Sequence, residues 1–201
     1  HLWKLFTDIN LKEFKRIYDL MGIEFDSYAG ESFYEDKMDS MLKRIEDAGL
    51  IQESQGALIV DLSEYDMPPC LLQKNDGTTL YATRDLAAAF YRAETYGFHK
   101  LIYVVGMEQT LHFKQFFKVL ELLGYEWSKS CVHVPFGLIR FAEGKMSTRQ
   151  GKVIFLEEVL TQAIEMTSEI IKEKNPDLVD KEKVARDVGI GAVIFGDLRN
   201  N

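Results

Sequence analysis

Apolar positions recur along the chain with two distinct periods. Leu11, Phe14, Ile17 and Tyr18 fall three and four residues apart, the spacing of one helix face. They predict a helix over Leu11–Leu20, stopped before Gly22, in a segment already helix-like at its start. The same period runs through Phe33–Ala48 by way of Tyr34, Met38, Met41, Leu42 and Ile45, with Gly49 at the position that follows a helix C-terminus. Gly56-Ala57-Leu58-Ile59-Val60 is a short β-rich run. Pro68-Pro69 then stops regular structure and marks a boundary.

Beyond that boundary the pattern changes. Leu71–Lys74 and Thr78–Tyr81 flank Asn75-Asp76-Gly77, which predicts a hairpin whose Asp-Gly supplies the positive-φ turn. Arg84–Tyr96 is an alanine-rich helix ended by Gly97. Leu101-Ile102-Tyr103-Val104-Val105 is nearly all apolar, as expected of a strand in a parallel sheet covered on both faces. An amphipathic helix over Gln109–Leu123, ended by Gly124, leads to a second strand at Val132-His133-Val134. Strand, helix and strand at these lengths form a βαβ unit, so the fold class is α/β. A polar loop, Glu143–Lys152, precedes a helix over Leu156–Lys174. Asn175-Pro176 breaks that helix, and a last one begins near Lys181 and runs to the final residue. Opening at His1 rather than Met and closing inside a helix, the chain is expected to be an internal segment of a longer one.

Composition changes the picture in one respect. With 201 residues, 46% of them hydrophobic, the chain can bury the core of one large domain or two small ones. A net charge of −8 argues, taken alone, against a phosphate-binding surface. The charge is uneven, however: residues 1–99 carry 10 basic and 18 acidic side chains, 100–152 carry 8 and 4, and 153–201 carry 6 and 10. The basic excess in the middle block points to a local anion site. Cys70 and Cys131 lack Cys-x-x-Cys spacing and are expected to be buried free thiols of a reducing compartment. With no signal peptide and no apolar run near the roughly 20 residues that span a bilayer, the expected location is cytoplasmic, away from membranes.

Three clusters can carry chemistry. Gly106-Met107-Glu108-Gln109 follows the apolar strand, with His112 one helical turn on, at the strand end where open α/β sheets bind ligands. Glu108 could accept from two ribose hydroxyls and Gln109 could bond a second substrate; a turn glycine and a carboxylate favouring the helix dipole would give the same spacing. Gly144-Lys145-Met146-Ser147-Thr148-Arg149-Gln150-Gly151-Lys152 brings together cations and hydroxyls suited to a polyphosphate, or forms a solvated charged loop; the P-loop spacing is absent. Tyr81 and Asp85 share a helix face if the helix begins by Tyr81. An aromatic plate beside a carboxylate suits a planar cation, although Asp85 could instead pair with Arg92 or stabilise the helix N-terminus.

Taken in order, Gly30-Glu31-Ser32-Phe33-Tyr34, Tyr81-Ala82-Thr83-Arg84-Asp85-Leu86-Ala87, Tyr103-Val104-Val105-Gly106-Met107-Glu108-Gln109, His112-Phe113-Lys114-Gln115, His133-Val134-Pro135-Phe136-Gly137 and Gly144-Lys145-Met146-Ser147-Thr148-Arg149 resemble class I aminoacyl-tRNA synthetases, and among them the arginyl-tRNA synthetases. The resemblance runs over nearly the whole chain. It implies the second half of a Rossmann-like parallel-sheet catalytic domain, with a mainly helical insertion before it and helices after it. The implied domains are an insertion over 1–68, the half-domain over 69–142, the Lys-Met-Ser-Thr-Arg loop and stem-contact helix over 143–178, and the start of a helical anticodon-binding domain over 179–201. The implied reaction is ATP-dependent activation of arginine to arginyl-adenylate and transfer to tRNA(Arg). ATP enters as a substrate with Mg2+, no protein-bound metal is expected, and the parent is taken as monomeric.

By the same resemblance, Tyr81, Asp85 and Gln109 hold arginine, with Asp85 reading the guanidinium. Gly106 and Glu108 meet the ATP ribose, and Phe136, Gly137, His112 and Met146 complete the ATP site. Lys145, Ser147 and Arg149 stabilise the phosphates. Two departures stand out: Thr148 occupies the second lysine position of the class I loop, and no histidine begins the His-x-Gly-His element of the class. The 201-residue chain by itself is therefore expected to be inactive. The alternatives are another class I adenylate-forming synthetase, whose neutral substrates would not need Asp85, or an inert tRNA- or partner-binding module.

Overall fold

A computed structural model describes residues 2–137 and 154–199, which belong to two compact units, Tyr28–Gly137 and His1–Ser27 with Leu138–Asn201. In the first unit a 3₁₀ turn over Glu31–Lys37 leads into helix α2, Met38–Asp47. A single α-helix was the expectation for Phe33–Ala48. Tyr34 is the only buried side chain of the first seven residues, so packing does little there to impose α geometry, whereas Met38, Met41 and Ile45 line a continuous buried stripe.

Strands β1 (Ile51–Ser54) and β2 (Ala57–Val60) form an antiparallel hairpin through Gln55 and Gly56, both at positive φ. Strand β3, Cys70–Gln73, pairs with β2 across the Pro68-Pro69 break and completes a sheet of order β1-β2-β3. The hairpin expected at 71–81 is present but short. Gly77 has φ +80°, and the limbs pair through one bridge, Gln73 opposite Thr79, closed by Lys74 N–H to the Thr78 carbonyl and Leu80 N–H to the Leu72 carbonyl. The second limb yields to a helix: Leu80 is extended and Tyr81 opens helix α3, Tyr81–Tyr96, which ends at Gly97 in the left-handed conformation. Two donors meet the Leu72 carbonyl, the Leu80 N–H at 2.9 Å and the buried Thr83 hydroxyl at 2.7 Å, pinning the start of α3 to β3.

Strand β4 (Leu101–Gly106), helix α4 (Thr110–Leu122) and strand β5 (Cys131–Phe136) form the expected βαβ unit. The strands are parallel and in register from Leu101 opposite Cys131 to Gly106 opposite Phe136. Helix α4 buries Phe113, Phe116, Val119 and Leu120, and the Phe113 and Phe116 rings lie 5.0 and 5.5 Å from that of Tyr103 on β4. Burying Phe116 contributes about 1.5–3 kcal/mol. The apolar run of β4 was expected to be covered on both faces; among the described residues one face is covered, while Ile102 and Val104 are 53% and 64% exposed. Cys70 is buried and Cys131 half-buried, both unpaired; burial pushes their thiols up to about 12 and about 11.

The second unit contains α1 (Leu2–Met21), α5 (Leu156–Lys174) and α6 (Lys181–Arg199), the last two separated by a break at Asn175-Pro176 as the sequence predicts. Arg16 of α1 forks onto both carboxylate oxygens of Glu157 at 2.8 and 2.7 Å. Helices α5 and α6 are in close contact at Gly189, where a Cβ would lie 2.8 Å from the Ile164 backbone nitrogen. Among the described residues, no helix is long and apolar enough to cross a membrane.

Candidate active site

Helix α3 begins against β3, so its first turn projects Tyr81, Arg84 and Asp85 into a cavity of about 340 Å3 in the Tyr28–Gly137 unit. The cavity is completed by Glu31 from the 3₁₀ turn, Tyr103 and Val105 from β4, Gln109 from the turn after β4, and His112 and Phe113 from α4. Asp85 and His112 meet there: His112 Nε2 lies 2.6 Å from Asp85 Oδ2, and the Tyr81 ring stands edge-on to the imidazole at 4.8 Å. The expectation that Tyr81 and Asp85 share a face is thus realised, and Gln109 lines the same cavity. Of the two structural roles open to Asp85, pairing with Arg92 is not what occurs. Arg92 donates instead to the Tyr103 hydroxyl at 3.3 Å. Burial, partly offset by Arg92, holds that hydroxyl above the ordinary tyrosine range, so it stays neutral.

Four polar lining residues had no site role assigned from sequence: Glu31, Arg84, Arg92 and Tyr103. Glu31 and Arg84 form an ion pair that ties the turn before α2 to the first turn of α3. Arg84 Nε is buried without a hydrogen-bond partner among the described residues. Both residues lie inside the motifs that carry the family resemblance, and that was the available signal. A second cavity, about 250 Å3, lies between α2 and α3, but its cations are engaged: Arg44 sits 4.0 Å over the Phe90 ring, and Lys37 binds Asp36.

The ribose candidates sit at the carboxyl end of the parallel strands. Gly106 ends β4 opposite Phe136, and a Cβ on it would come 3.0 Å from Glu108 Oε2, so glycine leaves room for that carboxylate. Glu108 and Phe136 are exposed and Gly137 is half-buried at the same edge. His112, expected in the ATP set, lies 2.6 Å from Asp85. Lys145, Met146, Ser147 and Arg149 lie outside the described residues. Among the described residues there is no group of three or more His, Cys, Asp or Glu that could hold a metal ion. What the cavity offers chemically is a carboxylate, 38% exposed, with one oxygen held from behind by His112 and an aromatic ring beside it. Such an arrangement receives a planar cation.

Residues 1–201 match the family model described as tRNA synthetases class I (R), catalytic domain. The chain is 60% identical over 200 residues to the arginine–tRNA ligase of Halothermothrix orenii, an alignment covering 100% of this chain and 35% of that protein. It is 61% identical over 199 residues to the arginine–tRNA ligase of Clostridium acetobutylicum, with 99% and 35% covered. The chain thus spans about a third of the length of these curated relatives. Among solved structures, the arginyl-tRNA synthetase of Plasmodium falciparum superposes with a TM-score of 0.83 at 22% identity, over all of this chain and 34% of that one. That of Thermus thermophilus gives 0.75 at 22%, over 88% and 36%. At these identities the likeness is one of fold.

Proposed function

Since the chain belongs to the class I (R) tRNA synthetase catalytic-domain family, we propose that it is the arginine-reading part of an enzyme that activates arginine with ATP and transfers it to tRNA(Arg). The observation that carries this reading is the Asp85 carboxylate, held by His112 at 2.6 Å and open to a cavity flanked by Tyr81 and Gln109. A guanidinium entering there gives Asp85 two parallel N–H donors, with Tyr81 against its plane and the Gln109 amide at its side. A neutral side chain of similar size would leave the carboxylate unpaired, which is a strong basis for rejection.

In the reaction proposed, a carboxylate oxygen of arginine attacks the α-phosphorus of Mg-ATP. The bond to the bridging oxygen breaks and pyrophosphate leaves with the electron pair. A terminal ribose hydroxyl of the tRNA then attacks the activated carbonyl and releases AMP. No side chain need act as a covalent nucleophile; catalysis is positioning and charge stabilisation. Gly106 and Glu108 are proposed to hold the ribose, and Phe136, Gly137 and Met146 to lie near adenine, with His112 on the amino-acid side of that site. Lys145, Ser147 and Arg149 are proposed to meet the phosphates. The division into insertion, half-domain, loop with stem-contact helix and helical start belongs to the same proposal, as does a cytoplasmic location. The isolated chain, spanning a third of its relatives, is proposed to be inactive.

The test is a chimera in which this chain replaces the matching segment of the Halothermothrix orenii relative, assayed by amino-acid-dependent pyrophosphate exchange. Asp85→Asn should raise the arginine KM about a hundredfold, as expected when a charge-assisted pair is lost, with the ATP KM little changed. Unchanged arginine KM and kcat would sink the assignment.

A further inference from the structure

His112 stands behind Asp85 rather than beside it. It is 8% exposed, while the Asp85 side chain is 38% exposed toward the cavity. Its ring is enclosed by the Tyr81 edge at 4.8 Å, Phe113 at 5.2 Å and Phe116, stacked at 6.0 Å. To donate from Nε2 while neutral, the imidazole must carry its proton there, and Asp85 then keeps its full negative charge. Oδ1 has no hydrogen-bond partner among the described residues, and Asp85 lines the cavity.

The other ionisable groups around the imidazole leave this pair to decide the local charge. From α3 come Arg84, paired with Glu31 of the 3₁₀ turn, and Arg92, bonded to Tyr103 of β4. The Tyr103 hydroxyl is held neutral by burial, and Tyr81 contributes an uncharged phenol. On the β5 side His133 lies beyond the Phe113 ring, stacked on it at 4.3 Å, and bonds the Val105 carbonyl. Glu108, in the turn before α4, is exposed. With His112 neutral, the cavity's two carboxylates, Glu31 and Asp85, balance its two guanidiniums, Arg84 and Arg92. One further proton makes the lining net positive.

We propose that His112 is a positioning residue that sets the charge of the amino-acid site. Neutral, it aims Asp85 and leaves the carboxylate free to pair with a guanidinium; protonated, it cancels that charge, and the site releases its cationic ligand. The proposal rests on reading Asp85 as the guanidinium partner. Among the side chains of this lining, histidine is the one that can exchange a proton most readily near neutral pH, which makes His112 the member able to act as the switch. By linkage, arginine and a proton on His112 oppose each other's binding.

The experiment measures arginine binding by calorimetry, without ATP, to the full-length chimera from pH 5.5 to 8. In the parent chimera the arginine Kd should rise severalfold toward pH 5.5, as expected when a ligand takes only the neutral form of the site. His112→Gln keeps an N–H donor for Asp85 but has no proton to gain, and its Kd should change less than about twofold over the same range. Equal pH slopes in the two proteins would overturn the proposal. Should His112→Gln bind too weakly to measure, the His112 ring resonances of the parent settle the matter. Their titration midpoint should fall when arginine is added, and an unmoved midpoint would overturn the proposal. Asp85→Asn separates the two levels: undiminished arginine binding in that variant refutes the arginine site itself, whereas weakened binding with equal slopes refutes only the role of His112.

Discussion

Thr83 donates its hydroxyl hydrogen to the Leu72 carbonyl oxygen across 2.7 Å, inside the core and two residues before Asp85. The same carbonyl accepts the Leu80 N–H at 2.9 Å. Thr83→Val keeps the shape and removes one of the two donors, at a cost of about 1–2 kcal/mol. The amides of the first turns of α3 should exchange with solvent about 5–30 times faster, while Thr83→Ser should stay near the parent rate. Unchanged protection in the valine variant would mean that the Leu80 bond holds the helix start alone.

Gly189 and Gly191 lie two residues apart in α6 and should respond in opposite directions to alanine. A Cβ at Gly189 would meet the Ile164 and Ala163 backbone at 2.8–2.9 Å, and backbone cannot swing aside as a side chain can. Gly189→Ala should therefore destabilise by about 1–3 kcal/mol. At Gly191 a Cβ meets nothing within 4 Å among the described residues, so only the helix preference of alanine remains, stabilising by up to about 1 kcal/mol. Thermal unfolding of the two variants should bracket the parent. The same sign in both would refute the close helix approach.

Gly106→Ala separates packing from substrate contact. The nearest atom to the added Cβ is Glu108 Oε2 at 3.0 Å, the free end of a flexible side chain, so stability should change by less than about 0.5 kcal/mol. Displacing that carboxylate should nevertheless raise the ATP KM severalfold in pyrophosphate exchange, with the arginine KM unchanged. A rise confined to arginine would remove Glu108 from the ribose.

The parts legible in the sequence are those with strong local signals. The alanine-rich helix stopped at Gly97, the β4–α4–β5 unit and the paired helices around Asn175-Pro176 were all expected, because period and terminator agree over ten or more residues. Strand β1 was not, since Ile51-Gln52-Glu53-Ser54 has no β-rich run and owes its conformation to its partner. Thr78–Leu80 does pair with Leu72–Lys74 through one bridge, but the helix begins at Tyr81, where the Thr83 hydroxyl takes over the contact to Leu72. The exposure of Ile102 and Val104 among the described residues had no local signal, because an apolar run does not say which of its faces is covered. Tyr81, Asp85 and Gln109 could be named as a group from their motifs. The hold of His112 on Asp85, 27 residues apart, and that of Glu31 on Arg84, 53 apart, are products of tertiary folding with no local trace.

The Glu31–Arg84 pair bears on how such enzymes can be recombined. Composition suggests a crossover at Pro68-Pro69, yet a junction there would take Glu31 from one parent and Arg84 from another, and would part β2 from β3. A junction just before Tyr28 keeps both pairings within one donor. The stretch before the prolines contributes Glu31 to the cavity beside Asp85, so a junction after it would recombine that side chain with a foreign Arg84.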